Sequence, residues 1–151
     1  MDEVPYGIVG VGGFGAERRK RLRACGGFEI VGGVDIREEA FVQADQEEGK
    51  PLKRYASVEE LVADPAIEAV FIATPAALHV PQAMIAAKAG KAVFCEKPLG
   101  PHRAECLELV EYCEKNGIPH GHGFSARFFP LWQEVKRIVD SGALGRIVSI
   151  S

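Results

Sequence analysis

Short apolar runs alternate with longer stretches of mixed polarity along this chain. The runs cover residues 6–10, 28–34, 67–73 and 92–95. They are apolar on both faces, which is typical of parallel strands that have helices on either side. Helical periodicity predicts helices over residues 16–25, 38–48, 58–63, 76–89 and 103–116, and a short strand is predicted over 53–56. This alternation predicts an α/β fold with a doubly wound, mostly parallel sheet of the Rossmann type.

The last part of the chain has a different pattern. Large apolar side chains share one face of a helix predicted over residues 128–140, and residues 147–151 alternate in polarity as a strand does. That strand either joins the main sheet or opens a second domain, and we favour the second. We therefore expect one domain over residues 1–125, and a connecting helix with the first strand of a truncated C-terminal α/β domain over residues 126–151.

A glycine-rich turn, G-x-G-x-x-G, directly follows the first predicted strand and opens a helix. Gly10 permits the tight turn, Gly12 lets the backbone approach a diphosphate, and Gly15 allows the helix and strand to pack closely. Backbone N–H groups at the helix start, around Gly13 and Phe14, are expected to hold the phosphates. The first domain is therefore predicted to bind a dinucleotide.

A carboxylate stands at the end of the second predicted strand, twenty residues after Gly15. This residue, Asp35, is expected to accept hydrogen bonds from both ribose hydroxyls and to repel a 2′-phosphate, which favours NAD over NADP. Ile36 and Arg37 follow it and are expected to lie beside the cofactor. Arg37 can pair with a 2′-phosphate, or it can be a solvated arginine at a helix start, so NADP stays the second candidate.

Two further strand ends carry candidate site residues. Thr74 and Pro75 follow the third predicted strand and should face the cofactor, because open parallel sheets bind ligands beyond the carboxyl ends of their strands. His79, one turn into the next helix, is either a neighbour of the cofactor or a partly exposed helical histidine. Glu96 and Lys97 follow the fourth strand, where the lysine can transfer a proton and the glutamate can orient it. The alternative for this pair is a structural ion pair.

Composition and charge exclude several classes of function. The chain is 47% hydrophobic and 26% charged, and its net charge of −3 gives no bulk attraction for nucleic acid or anionic membranes. The basic run over residues 18–23 is interpreted as a solvated helix face, and nucleic-acid binding ranks last. Prolines and a histidine within the uncharged run over residues 69–87 argue against a membrane span. We expect no signal peptide, because the N-terminus opens with acidic residues.

The four cysteines form no C-x-x-C pair, and together with the histidines they show no zinc-like spacing. We therefore expect no metal site and a reducing, cytoplasmic location. Cys106 and Cys113 lie seven residues apart, as core cysteines on one helix face do. Cys95 is expected to be a poor nucleophile, because the neighbouring Glu96 disfavours its thiolate.

Several of these features, taken in order, resemble the Gfo/Idh/MocA family of NAD(P)-dependent oxidoreductases. They are the glycine turn, Asp35, Thr74-Pro75 with His79, Glu96-Lys97-Pro98 and the aromatic segment over residues 124–130. The resemblance covers essentially the whole chain, and the Glu-Lys-Pro element is its most specific part. It implies a Rossmann domain followed by an α/β domain with a large, mostly antiparallel sheet. It also implies hydride transfer between nicotinamide and a carbon of a sugar, polyol or related compound.

The same resemblance assigns roles to individual residues. It implies that Lys97 takes part in catalysis near the nicotinamide ribose and that Arg127 lies near the cofactor. Family members often have two adjacent arginines where this chain has Ala126 and Arg127. They usually take the remaining catalytic groups and the substrate pocket from the second domain, so we expect this chain alone to be inactive. A homo-oligomer is one candidate state, and the alternative function is a stand-alone NAD-binding sensor or interaction module.

Overall fold

Parallel strands and helices alternate along residues 3–149, the part of the chain that this computed structural model describes. The strands are β1 (Val4–Val9), β2 (Phe28–Val34), β3 (Lys53–Arg54), β4 (Ala69–Ile72), β5 (Ala92–Cys95) and β6 (His120–His122). The α-helices are α1 (Phe14–Cys25), α2 (Glu38–Glu48), α3 (Val58–Ala63), α4 (His79–Lys88), α5 (Arg103–Lys115) and α6 (Pro130–Asp140). Short 3₁₀ segments, Ala76–Leu78 and Ser125–Phe128, precede α4 and α6.

The six strands form one parallel sheet in the order β3-β2-β1-β4-β5-β6. The chain runs outward from β1 in one direction, then returns to place β4 on the other side of β1. In such sheets the crevice for a ligand lies where the strand order reverses, beyond the carboxyl ends of β1 and β4. The prediction of a doubly wound parallel sheet is therefore confirmed, and it locates the site at this edge.

Both faces of the sheet are covered, as the apolar runs predicted. Successive side chains of β4 enter different cores: Val70 and Ile72 pack in one apolar cluster, and Ala69 and Phe71 pack in the other. This division follows from the two-residue period of a strand, which points neighbouring side chains to opposite faces. The sheet edge that carries the site is thus held by a core on each side.

The basic run on α1 is not simply a solvated face. Arg19 is only 1% exposed, and its guanidinium donates to Glu48 at 2.6 Å and to Glu47 at 2.8 Å. Arg23 also pairs with Glu48, at 2.8 Å. The interpretation of this run as solvated is therefore wrong for Arg19, because the acidic end of α2 covers that side of α1.

One strand was not predicted, and the bounds of several elements differ from the predictions. β6 was not predicted, because its sequence His-Gly-His has no apolar run, yet its backbone pairs with the free edge of β5. The helix predicted over 76–89 begins with a 3₁₀ turn, and α4 proper starts at His79. The helix predicted from Phe128 starts at Pro130, since proline is well suited to the first turn of a helix.

The C-terminal helix α6 leaves its apolar face uncovered among the described residues. Leu131, Trp132, Val135 and Val139 are between 40% and 70% exposed. Residues 147–149 form no strand, because no described strand offers them a backbone partner, and the last two residues of that predicted strand lie outside the described part. Within residues 3–149, no helix has both the length and the apolar character that a bilayer crossing requires.

Candidate functional site

The glycine turn after β1 is built as tightly as the motif predicts. Gly10 has φ of 89°, and a Cβ on it would lie 2.8 Å from the carbonyl oxygen of Ala73 at the end of β4. A Cβ on Gly15 would overlap the carbonyl oxygen of Gly10. Side chains at these two positions would therefore separate α1 from β1 and β4, which explains why glycine is needed at both.

The N-terminal end of α1 is open. Its N-cap residue, Gly13, makes no side-chain capping hydrogen bond, and no atom lies within 4 Å of a Cβ built on it. Phe14, the first helical residue, is 64% exposed. Because the first N–H groups of a helix have no partner within the helix, this end can accept an anion such as a diphosphate.

Asp35 holds the glycine turn from the end of β2. Its Oδ2 accepts hydrogen bonds from the backbone N–H of Val11 at 2.9 Å and of Gly12 at 3.1 Å. Burial opposes ionisation of this carboxyl, but hydrogen bonds from Gly12 and Arg37 outweigh burial and lower its pKa. Asp35 is therefore an anion near neutral pH, and it shapes the turn in addition to its predicted role toward a ribose.

Arg37 covers the side of the turn. Its Nε lies 3.3 Å from Oδ1 of Asp35, and its Nη2 lies 2.5 Å from the position of a Cβ on Gly12. The side chain is half exposed, whereas that of Asp35 is only 5% exposed. The solvated arginine expected at this helix start is thus a half-exposed partner of Asp35. Ile36, between them, is fully exposed.

A cleft of about 340 Å³ lies beside these groups, and we call it the Asp35 cleft. It is lined by Gly10, Gly12, Asp35, Ile36, Arg37, Ala73, Thr74, Pro75 and Gln82, among others. Thr74 donates from its hydroxyl to Gln82 Oε1 at 2.5 Å, so Gln82 on α4 orients this wall. Sequence reasoning missed Gln82, because nothing in its local pattern distinguishes it from a surface residue.

A second cleft, of about 240 Å³, lies on the other side of Thr74 and Pro75, and we call it the Lys97 cleft. It is lined by Phe14, Ala73, Thr74, Pro75, Ala76, His79, Glu96, Lys97 and Pro98. The Lys97 ammonium stands 5.6 Å from the centre of the Phe14 ring, within the range of a cation–π contact. The two clefts share Ala73, Thr74 and Pro75 as lining residues, so they lie next to each other along the carboxyl edge of the sheet.

His79 joins two walls of the Lys97 cleft. It is 2% exposed, and its ring nitrogens lie 2.6 Å from the carbonyl oxygen of Thr74 and 2.7 Å from that of Pro98. The expectation of a partly exposed histidine is therefore wrong. Both ring nitrogens are occupied by the protein, so His79 holds the β4 and β5 loops together, and its polar atoms are not free for a cofactor.

Glu96 is buried at the end of β5, with 5% exposure. Its Oε1 pairs with Nε of Arg18 on α1, and its Oε2 accepts from the backbone N–H of Lys97 at 3.2 Å. Burial and the charge of Glu96 raise the pKa of the Cys95 thiol to about 12. Cys95 is fully buried, which agrees with its expected lack of nucleophilic character.

Not every predicted site residue is brought to these clefts. Arg127 lines a separate groove of about 760 Å³ with Phe124, Phe128, Trp132 and neighbouring residues. It lines neither the Asp35 cleft nor the Lys97 cleft, because the 3₁₀ segment that carries it lies beyond the edge strand β6. Among residues 3–149, no three His, Cys, Asp or Glu side chains are grouped so that they could hold a metal ion.

Comparison with known proteins identifies the family of this chain. The family model described as "Oxidoreductase family, NAD-binding Rossmann fold", of the Gfo/Idh/MocA group, matches residues 4–124. Inositol 2-dehydrogenase from Corynebacterium glutamicum is 30% identical over 145 residues, which cover 95% of this chain and 43% of that protein.

Two solved structures are similar over nearly the whole chain. Myo-inositol 2-dehydrogenase from Lactobacillus plantarum has a TM-score of 0.84 at 27% identity, covering 97% of this chain and 44% of that one. The WlbA dehydrogenase from Bordetella pertussis, solved with NADH and UDP-GlcNAcA, has a TM-score of 0.86 at 26% identity, covering 97% and 42%. The chain thus spans less than half the length of these relatives.

Proposed function

The chain belongs to the Gfo/Idh/MocA oxidoreductase family with the NAD-binding Rossmann fold, and from this premise we propose that it is the cofactor-binding half of a sugar or polyol dehydrogenase. The observation that carries the proposal is that the Asp35 cleft and the Lys97 cleft lie side by side at the carboxyl edge of the sheet, with the open end of α1 beside them. An extended dinucleotide needs an anion site between two pockets, and this edge of the sheet offers that arrangement.

Different residues at this edge of the sheet would bind different parts of NAD(H). The N–H groups at Gly13 and Phe14 would hold the diphosphate, since no side chain caps this end of the helix. The Asp35 carboxylate would accept the adenosine ribose hydroxyls, with Ile36 beside the base. The nicotinamide end would lie in the Lys97 cleft, against Thr74 and Pro75.

When bound, the oxidised cofactor would accept the hydride and the reduced cofactor would donate it. Lys97 is exposed at the mouth of its cleft, and its ammonium stands over Phe14. During reduction, this ammonium donates a proton to the substrate oxygen as a carbonyl becomes a hydroxyl. During oxidation, the neutral amine accepts the hydroxyl proton. His79 and Glu96 keep the Lys97 loop in place through their contacts with Pro98 and with the backbone of Lys97.

The substrate pocket is assigned to a further domain. The exposed apolar face of α6, with Leu131, Trp132, Val135 and Val139, is large for a surface that faces water, and such faces mark contact surfaces. The relatives are more than twice as long as this chain. We infer that residues 126–151 connect to that domain and that this chain alone does not turn over a substrate. A sensor or interaction module that binds NAD without catalysis is the second candidate.

Titration of the chain with NADH and NADPH, followed by nicotinamide fluorescence, tests the binding proposal. We expect a saturable signal with NADH. Phe14→Asp places a carboxylate at the first turn of α1, where it repels the diphosphate, and should raise the dissociation constant for NADH about tenfold or more. Leu107→Asp, a partly exposed position on α5, is the matched control and should leave affinity unchanged. Absence of a saturable signal with either nucleotide would refute the proposal.

Lys97→Ala separates catalysis from binding. A group that acts mainly in the transition state contributes little to binding of the cofactor, so NADH affinity should stay within about tenfold of the unmodified chain. Turnover should be lost where the complete substrate site is present. If turnover in that setting survives the substitution, Lys97 is not the proton-transfer group.

A further inference from the structure

Two residues on one side of α1 contact the segment that carries Lys97. Phe14 and Arg18 are four residues apart and therefore share a face of the helix. The Phe14 ring lies under the Lys97 ammonium, and the Arg18 guanidinium pairs with the Glu96 carboxylate. The helix whose N-terminal end is open to an anion is thus also in contact with the end of β5.

Glu96 needs a counter-charge in this position. Its side chain is 7% exposed, and the backbone of Gly123 packs so closely that a Cβ there would lie 2.8 Å from Oε2. A buried carboxylate without a partner is strongly destabilising. The charge of Glu96 raises the pKa of the nearby His122, but burial of that imidazole has the larger effect and lowers its pKa overall. His122 is therefore a poor counter-ion, which leaves Arg18 and Lys97.

In this structure the counter-charge comes from Arg18. The side chain of Arg18 is 23% exposed and reaches Glu96 from α1. Among the ion pairs of residues 3–149, none involves the Lys97 ammonium, although Lys97 directly follows Glu96 in sequence. The ammonium is instead directed into its cleft, over Phe14.

We propose that Arg18 is a positioning residue that occupies Glu96 and thereby leaves the Lys97 ammonium unpaired in the cleft. This inference rests on the proposed role of Lys97 in proton transfer. Without Arg18, the nearest cation to the buried carboxylate is Lys97, and Coulomb attraction at short range would draw the ammonium toward Glu96. A lysine bound in that way releases its proton less readily and stands away from the substrate oxygen.

The reactivity of the Lys97 amine measures this directly, because only the neutral amine reacts with formaldehyde in reductive methylation. The full chain is methylated across a range of pH, and the rate at Lys97 is followed by peptide mass spectrometry relative to exposed Lys88 on α4. At a pH where the methylation rate of Lys97 still rises with pH, Arg18→Gln should slow that rate on the order of fivefold. Arg21→Gln is the control, since Arg21 pairs with exposed Glu17 on the same helix, and it should have no effect.

Further variants distinguish positioning from a general structural role. Arg18→Lys keeps a cation beside Glu96 and should restore most of the rate, and the double variant Arg18→Gln with Glu96→Gln should restore it fully. Glu96→Gln alone removes a negative charge near Lys97 and should give a rate no lower than that of the unmodified chain.

A rate for Arg18→Gln equal to that of the unmodified chain, or a double variant that stays as slow as Arg18→Gln, would overturn the proposal. If Arg18→Gln does not fold, Arg18→His takes its place, and a rate above neutral pH equal to that of Arg18→Lys would overturn the proposal in the same way. NADH titration of the same samples keeps the two proposals apart. If the unmodified chain does not bind NADH, the proposed function is refuted. The methylation rates decide the role of Arg18 separately.

Discussion

At the scale of single residues, the structure gives several predicted site residues a second task. Asp35 was expected to face a ribose, and it also accepts hydrogen bonds from Val11 and Gly12, so the acid and the glycine turn are one unit. His79 was expected either beside the cofactor or partly exposed, and it is buried in the wall of the Lys97 cleft, with its ring nitrogens next to the carbonyl oxygens of Thr74 and Pro98. Asp35 and His79, which line the two clefts, are therefore also the side chains that hold the backbone around those clefts.

Asp35→Ala should weaken NADH binding more than NADPH binding. The substitution removes a hydrogen-bond acceptor for the ribose hydroxyls from both complexes, but it also removes a charge that repels a 2′-phosphate, and Arg37 becomes free to pair with that phosphate. Parallel fluorescence titrations measure both dissociation constants. Equal weakening of the two nucleotides would mean that Asp35 acts only through the glycine turn.

At the scale of elements, ion pairs contribute to how α1 is oriented. Its mixed charge leaves few apolar side chains to bury, and Arg18 and Arg19 reach from α1 to β5 and to α2. These contacts keep the open N-terminal end of α1 directed at the two clefts. The orientation of this helix therefore depends on residues that a hydrophobic pattern does not identify.

Arg19→Ala should lower the free energy of unfolding by about 3 kcal/mol or more. Glu48, whose side chain is 7% exposed, would lose its buried partner and keep the half-exposed Arg23, and breaking a buried ion pair is costly. Urea unfolding measures the change. Arg21→Ala on the same helix is the control, with an expected loss below about 1 kcal/mol because its pair with Glu17 is exposed. Similar losses for both variants would contradict the structural role of Arg19.

Stability should fall in acid partly through Asp64, which joins α3 to the region of β3. Hydrogen bonds from Lys53, Tyr55 and the N–H of Ala66 lower the pKa of Asp64 below its ordinary value of 3.8. A lowered pKa stabilises the fold above the ordinary value, and that contribution is lost as pH falls below it. Asp64→Asn should therefore be less stable than the unmodified chain at pH 7, and the gap should narrow progressively as pH falls below about 4. A gap in unfolding free energy that is independent of pH would refute this assignment.

At the scale of the whole molecule, residues 3–149 contain a covered sheet and an uncovered helix. The sheet has an apolar core on each face, whereas α6 contributes no residue to either core. The Asp35 cleft and the Lys97 cleft thus lie on the part of the chain that packs around the sheet. The apolar face of α6 belongs to the part that we assign to contact with a further domain.

Trp132→Ala should change the free energy of unfolding by no more than about 0.5 kcal/mol, because Trp132 is 54% exposed and does not pack in either core. Leu61→Ala is the contrasting variant. Leu61 is fully buried, and its truncation should cost about 2–5 kcal/mol. Urea unfolding of both variants is the measurement. A large loss for Trp132→Ala would show that α6 packs against the sheet.

The sequence by itself determined the main strands and helices, the glycine turn and the order of the site segments along the chain. These features could be predicted because each is local: a period of two or of about 3.6 residues, or a steric need for glycine, is visible within a few positions. β6 escaped prediction because an edge strand of His-Gly-His is held by backbone pairing with β5 and carries no apolar pattern.

Only the tertiary structure decided which charged groups are partners. Arg18 and Glu96 are 78 positions apart, and Asp35 and Val11 are 24 apart, so no local pattern connects them. A buried carboxylate takes whichever donor the packing of elements brings within reach, because burial removes the water that would otherwise solvate it. The surroundings of Lys97 therefore depend on how α1 packs beside β5, which is a property of the assembled sheet.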